Sequence, residues 1–206
     1  MKKTLLVLSV GLILQNASAQ LLIESFENTL DGWTVQNGDY TAGFSTTTGV
    51  TDGSYSLSLT GTTGPSYGQM LGSPSTTLLT SELAGASALS FDVYAPGGSF
   101  GYYLQFDVDI NNADTGYVSL DGYSYTGVSI GGETTVTVPI SASLQSALAA
   151  SPNATSIYIQ VGGGYTDGNE TFYLDNVQLA PVPEPATLAL FGLGMAGVML
   201  LRRRIA

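Results

Sequence analysis

Carboxylate, hydroxyl, amide and aromatic side chains are the only polar or aromatic groups between positions 20 and 181. The chain contains no histidine and no cysteine, and all 16 acidic residues lie between Glu24 and Glu184. The five basic residues stand at the two ends, as Lys2, Lys3, Arg202, Arg203 and Arg204. Any chemistry of the central part must therefore use oxygen atoms and aromatic rings.

This set of side chains excludes several classes of function. Ser–His and Cys–His nucleophiles, Schiff-base lysines and nitrogen- or sulfur-ligated zinc, iron or copper centres cannot be built. A disulfide framework is excluded, and nucleic acid is disfavoured because its affinity rests on cationic side chains. Three chemistries remain: calcium binding by oxygen ligands, glycoside hydrolysis by a carboxylate pair, and sugar binding by aromatic and amide groups.

Alternation along residues 102–110 separates a polar face from an apolar face of one predicted strand. Phe106 and Val108 would face the core. With the neighbouring predicted strands, the polar face would carry Asp92, Tyr94, Tyr103, Gln105, Asp107, Asp109, Tyr158 and Gln160. Tyrosine rings stack on sugar C–H groups, so this face is a candidate sugar-binding groove. The alternative is a plain solvent-facing sheet surface, where tyrosine is common.

The same carboxylates leave a catalytic alternative open. An acid pair drawn from Asp92, Asp107 and Asp109 would be the minimum for a glycoside hydrolase. A lyase acting on an acidic sugar would need a basic residue to neutralise its substrate, and the central part has none. We therefore expect a non-catalytic protein, with a carboxylate-based hydrolase or lyase as the alternative.

Asp175 alternates in phase with Tyr173, Val177 and Leu179 in a predicted strand. A buried, unpaired carboxylate is costly, and no basic residue is available to pair with it. Three outcomes are open: the carboxyl group is protonated, it accepts hydrogen bonds from amides, or it binds a cation.

Short alternating runs separated by glycine-rich turns must position these side chains. They predict eight strands, near residues 21–27, 55–60, 88–94, 102–110, 117–120, 134–139, 156–161 and 171–179. A helical turn is predicted over residues 141–150, and loops over residues 61–75 and 162–169. Residues 20–180 are thus predicted to form one all-β domain, a jelly-roll-like β-sandwich.

The N-terminus has the layout of a secretory signal peptide. Two lysines precede an apolar run over residues 5–14, and Ala17 and Ala19 form a small-x-small cleavage site. We expect residues 1–19 to be a signal helix, removed by cleavage after Ala19.

The C-terminus combines a stiff proline segment, an apolar stretch and a basic end. Residues 186–201 are predicted to form a short transmembrane helix, since roughly 20 apolar residues span a bilayer comfortably. The basic residues that follow should stay cytoplasmic. The elements of this tail are Val182, Pro183, Glu184 and Pro185, the apolar helix, and Arg202, Arg203 and Arg204.

Together these elements resemble the PEP-CTERM sorting signal, over residues 181–206. The resemblance implies recognition by an exosortase, a membrane transpeptidase-like enzyme, with Pro183, Glu184 and Pro185 as recognition residues. It implies export by the secretion machinery of a Gram-negative bacterium that makes exopolysaccharide. The protein would be held in the inner membrane by its C-terminal helix before processing, and then be displayed at the cell surface or released.

The central domain carries a second resemblance. Four of its segments are similar to parts of jelly-roll carbohydrate-binding modules: Phe26-Glu27, Leu30-Asp31-Gly32-Trp33, residues 53–57 and residues 172–177. The resemblance implies a structural calcium ion held by Asp175 with Glu27 or Glu24, completed by backbone oxygens near Ser54. We therefore expect an exported surface or matrix protein whose calcium-stabilised sandwich binds exopolysaccharide. The alternative is a purely structural envelope or biofilm protein.

Overall fold

A computed structural model describes residues 20–36, 40–61, 68–96, 105–120, 126–162 and 171–182. The predicted signal helix with Ala17 and Ala19, the tail from Pro183 to Arg204, and Tyr103 lie outside these ranges. Within them, no helix is both long enough and apolar enough to cross a membrane.

The described strands form two antiparallel sheets that pack as a β-sandwich. Sheet A contains, in spatial order, β10 (Gly132–Pro139), β6 (Ala86–Ala95), β12 (Thr171–Pro181), β4 (Ser56–Gly61) and β3 (Tyr40–Ser45), and β1 (Leu21–Glu24) also pairs with β12. Sheet B contains β2 (Thr34–Val35), β5 (Gly68–Gly72), β11 (Thr155–Gly162), β7 (Gln105–Asn112) and β8 (Gly116–Ser119), and β9 (Thr126–Gly127) also pairs with β7.

Alternation along the strands builds the core between the sheets. Phe106 of β7 is fully buried, and its ring contacts Phe91 of β6 edge-on at 5.9 Å and Phe172 of β12 at 5.6 Å. Val108 and Ile110 of β7 are also fully buried, as predicted. Each such side chain contributes about 2 kcal/mol of hydrophobic stabilisation, and the phenylalanine cluster joins the two sheets.

Two short helices close the sandwich. The helix α1 spans Thr77–Ala84 and α2 spans Ala142–Ala150. A hydroxyl caps each N-terminus: Thr76 Oγ1 accepts from Leu79 N at 3.0 Å, and Ser141 Oγ accepts from Leu144 N at 3.3 Å.

All eight predicted strands are present, and α2 coincides with the predicted helical turn. The loop predicted over residues 61–75 is wrong, because it contains β5. The first strand ends at Glu24 rather than at residue 27, since Phe26 turns into the left-handed region with φ 53°. Four further elements, β2, β3, β9 and α1, were not predicted, because none of them carries a long periodic signal.

Candidate functional site

The outer face of sheet B, turned away from the core, carries a row of residues that crosses five strands. Tyr158 of β11 pairs with Gly72 of β5 on one side and with Asp109 of β7 on the other. The row continues to Thr34 of β2 and to Ser119 of β8. In antiparallel sheets directly opposed residues share a face, so these five positions form one continuous polar strip.

The rings of Tyr117 and Tyr158, here called the tyrosine pair, meet on this face. Their centroids are 5.4 Å apart and their planes differ by 31°. Because β7 lies between β8 and β11, the two rings meet above β7, near Asp109. Tyr117 is 45 % exposed, whereas Asp109 is 1 % exposed. The face thus offers an open aromatic surface beside a buried carboxylate.

Gly72 allows two other side chains to approach the sheet closely. A Cβ atom at this position would lie 2.9 Å from both Tyr158 Cε1 and Gln36 Nε2. Gln36 Nε2 donates to Thr34 Oγ1 at 2.6 Å and to the Thr34 carbonyl at 3.1 Å. These contacts fix the Gln36 amide beside the tyrosine pair.

A second row lies next to the first. Asp107 of β7 is fully buried and pairs directly with Gln160 of β11. Its carboxylate accepts from Val108 N at 2.7 Å and from Ser119 Oγ at 2.9 Å. An amide and a hydroxyl thus hold this carboxylate, and these hydrogen bonds fix its orientation.

The structure divides the predicted sugar-binding residues between two sheets. Gln105, Asp107, Asp109, Tyr158 and Gln160 share the outer face of sheet B, as predicted. The prediction that Asp92 and Tyr94 join them is wrong, because among the described strands β6 pairs with β10 and β12 of sheet A, whereas β7 belongs to sheet B.

On sheet A, Asp92 accepts from Thr135 Oγ1 at 2.6 Å and from Asn176 Nδ2 at 3.0 Å. Tyr94 packs against Tyr173, with 6.2 Å between ring centroids. An acid pair that joins Asp92 to Asp107 or Asp109 is therefore not formed, since these carboxylates lie on different sheets.

Four residues of the face were not among the predicted site residues. Tyr117 and Ser119 alternate within a strand that was predicted, so the same alternation could have found them. Thr34 and Gln36 gave no signal, because β2 is only two residues long.

The residues predicted to hold calcium lie around one loop, residues 51–55. Asp175 is fully buried, and its Oδ2 accepts from Thr51 N at 2.6 Å and from Asp52 N at 2.9 Å. Its Oδ1 accepts from Asn176 N at 2.7 Å. Burial raises the pKa of Asp175, and the amide hydrogen bonds oppose that shift. Hydrogen bonding to amides is thus observed, and protonation and cation binding, the other two outcomes left open by the sequence, stay predictions.

Glu27 holds the other end of the same loop. Its Oε1 accepts from Ser54 N at 2.9 Å and from Tyr55 N at 3.3 Å. Gly53 has φ 66°, and a Cβ atom there would collide with the Glu27 carboxylate. The loop therefore requires glycine at this position and a carboxylate beside it.

The Glu24 carboxylate forms its hydrogen bond outside the loop of residues 51–55. Its Oε1 accepts from Phe26 N at 2.6 Å, and burial raises its pKa. Ser54 N donates to the Glu27 carboxylate, at 2.9 Å from Oε1. In the described ranges, no three Asp or Glu residues come together as a metal-binding group. The contacts of Glu27 and Asp175 are those of carboxylates bonded to amides, and calcium remains a prediction.

Comparison with known structures defines the class of the fold. The C-terminal family 22 carbohydrate-binding module of Clostridium thermocellum Xyn10B superposes with a TM-score of 0.53 at 18 % identity, covering 81 % of this chain and 96 % of that chain. The CBM22-1 xylan-binding domain of Paenibacillus barcinonensis Xyn10C gives 0.52 at 19 % identity, covering 82 % and 97 %. The described domain is thus an all-β sandwich with the fold of these modules.

The second step of the identification comes from the end of the chain. The model of the PEP-CTERM protein-sorting motif matches residues 181–204. The chain therefore combines a PEP-CTERM sorting motif with a sandwich similar in structure to carbohydrate-binding modules. No curated protein matches it in sequence.

Proposed function

We propose that this protein is exported, sorted by an exosortase, and binds glycan without catalysis through the outer face of sheet B. The observation that carries the proposal is the tyrosine pair, in which the exposed ring of Tyr117 meets that of Tyr158 in the strip across five strands. Aromatic rings bind the apolar faces of sugars, and neighbouring amide and hydroxyl groups bind their hydroxyls.

The strip supplies both kinds of contact. Tyr117 is the more exposed ring of the pair. Ser119 lies at one end of the strip, and Gln36 is hydrogen-bonded to Thr34 at the other end. Tyr158 packs against Gly72 and Tyr117 contacts the Tyr158 ring, so little side-chain entropy is lost on binding.

Binding without catalysis is supported by the placement of the carboxylates. Asp92 lies on sheet A, away from Asp107 and Asp109. Asp107 and Asp109 are both buried, at 0 % and 1 % exposure, so neither presents an open acid to a glycosidic oxygen.

The test is retention of the exported protein on immobilised polysaccharides, including the exopolysaccharide of its own host. Tyr117→Ala should weaken retention about five- to tenfold, because a ring contact of about 1 kcal/mol is lost. Tyr94→Ala removes a ring from sheet A and serves as the matched control. If the wild type is retained by no glycan, the proposal is wrong and a structural role in the envelope or biofilm is favoured.

Sorting is a separate part of the proposal, supported by the motif match at residues 181–204. The tail helix would hold the precursor in the inner membrane until the exosortase acts near Pro183, Glu184 and Pro185. Replacing Glu184 by Ala should leave unprocessed protein in the inner-membrane fraction. Normal surface display of that variant would contradict this part.

Calcium binding at the loop of residues 51–55 is also a proposal, with a stabilising role. Glu27 and Asp175 converge on this loop and are the carboxylates that would hold the ion. Calcium should raise the melting temperature of the protein, and Glu27→Gln should abolish that increase. Equal melting temperatures in calcium and in chelator would refute the proposal.

A further inference from the structure

Exposed apolar side chains gather at one end of the sandwich. Six large apolar side chains are exposed in the described ranges, and four of them are Leu21, Leu22, Leu78 and Val182. Their exposed fractions run from 39 % for Val182 to 66 % for Leu78. Such a group is typical of an interaction surface when its members lie side by side.

The end of β12 brings the start of β1 and the end of α1 together. Leu21 of β1 lies opposite Leu179 of β12. Val182 directly follows β12, and its N–H donates at 2.9 Å to the carbonyl of Gly85, the residue that follows α1. The exposed residues of β1 are therefore neighbours of Val182.

A cleft between β1 and α1 completes this surface. Leu22 and Leu78 line the cleft, and Trp33, which is 4 % exposed, lies beside them. The carboxylates of Glu24, Asp31 and Glu82 line the same cleft. The surface, here called the leucine end, is defined by Leu21, Leu22, Leu78 and Val182.

The sorting tail begins at the leucine end. β12 ends at Pro181, and the apolar run that is predicted to cross the membrane begins at residue 186. Even fully extended, the connection between these two residues spans at most about 18 Å. The leucine end is therefore held at the membrane surface whenever the tail is inserted.

The chemistry of the leucine end suits a lipid surface. Exposed leucine side chains bind at the boundary between headgroups and acyl chains, with a strength that scales with the apolar area they bury. The carboxylates of the cleft are costly in hydrocarbon, so they limit the contact to the headgroup region. A weak contact is sufficient, because a short tether gives the domain a high effective concentration at the bilayer.

We propose that the leucine end docks on the outer surface of the inner membrane while the sorting tail is inserted. This inference rests on the proposed sorting function and adds a lipid contact made by the folded domain itself. The exposed leucines lie among the lipid headgroups, and the cleft between β1 and α1 faces the bilayer. Cleavage near Pro183 removes the tether, so the same step that cuts the tail also frees the sandwich from the membrane.

The experiment uses Trp33, the only tryptophan of the chain, as its reporter. The precursor, with its signal peptide removed and its tail retained, is reconstituted into phosphatidylcholine vesicles. One set of vesicles carries bromine on the acyl chains close to the headgroups, where it quenches tryptophan emission at short range. Since Trp33 lies in the cleft of the leucine end, it should lose emission in the brominated vesicles relative to ordinary ones.

Two variants test the leucines while the tail stays intact. Leu78→Gln on α1 and Leu22→Thr on β1 should each lower the ratio of docked to undocked protein about fivefold and restore Trp33 emission accordingly. Leu78 is 66 % exposed, so Leu78→Gln keeps the test open if Leu22→Thr fails to fold by circular dichroism.

Ile130→Thr is the matched control. Ile130 is 42 % exposed and bridges to Ala95, at the other end of β6 from Ala86. It therefore lies about 30 Å from the leucine end and should leave the quenching unchanged. Equal quenching in the wild type and in both leucine variants would overturn the inference.

Sedimentation of the vesicles separates this inference from the function on which it rests. If the precursor sediments with the vesicles but Trp33 emits equally in both sets, the inference is overturned and anchoring by the tail stands. The exosortase or a second copy of the chain is then the occupant of the leucine end. If the precursor does not sediment with the vesicles, anchoring and inference are both overturned.

Discussion

Replacing Gly72 by Ala tests whether the glycan-binding face depends on close packing of its aromatic residue. The new Cβ atom would lie 2.9 Å from Tyr158 Cε1 and from Gln36 Nε2, where ordinary contacts begin at 3.4 Å. Both side chains must therefore move by about half an ångström or more. Gln36 is flexible and can swing away, but Tyr158 is held by its ring contact with Tyr117.

The magnitude follows from these contacts. Overpacking costs about 1–3 kcal/mol, and the flexible Gln36 places this substitution near 1 kcal/mol of unfolding free energy. For a chain of this length, that corresponds to a melting temperature lower by about 2–4 °C. Displacing Tyr158 opens the tyrosine pair, so glycan affinity should fall about fivefold, as expected when a ring contact of about 1 kcal/mol is lost.

Gly127→Ala is the matched control. It lies on β9 of the same sheet, and a Cβ atom there has nothing within 4 Å. Thermal unfolding and calorimetric glycan titration of both variants give the two quantities. If Gly72→Ala retains the glycan affinity of Gly127→Ala, close packing of Tyr158 does not shape the site and this reasoning is wrong.

Further predictions concern the loop and the buried acids. Gly53→Ala should lower the free energy of unfolding by about 2 kcal/mol, because it adds a collision with Glu27 to the backbone strain of φ 66°. The control is Gly116→Ala, at φ 72°, where the new Cβ atom meets nothing within 4 Å. In a denaturant titration the control should lose less stability. Burial raises the folded-state pKa of Glu24 and Asp175 above their ordinary values of 4.5 and 3.8. At a pH below those values, both protonated groups therefore contribute to the stability of the fold. That contribution is lost as the pH rises through the raised pKa. The melting temperature should therefore rise as pH is lowered from neutral towards these ordinary values, and a monotonic fall over that range would contradict the assignment of these shifts.

The sequence predicts the fold well because its strands alternate clearly. Phe106 and Val108 mark the core face of β7 by spacing alone, and both are fully buried. The two-residue strand β2 forms by pairing with the distant strand β5, so no local pattern predicts it.

The site is predictable only in part, for a related reason. Alternation assigns each residue to a face of its own strand, but it does not say which strands are neighbours. Asp92 and Asp109 therefore looked equivalent in sequence, although they lie on different sheets. Similarly, the sequence identified Asp175 as a carboxylate that needs partners, while only the fold shows that the amides of Thr51 and Asp52 provide them.

The most direct test of glycan binding by this face is a residue-resolved NMR titration of the exported protein with an oligosaccharide that it retains. Backbone amide shifts should concentrate in β7, β8 and β11 around Tyr117 and Tyr158, with the outer face of sheet A unchanged. Shifts centred on Tyr94 and Tyr173 of sheet A would contradict the account, as would the absence of any change at the tyrosine pair.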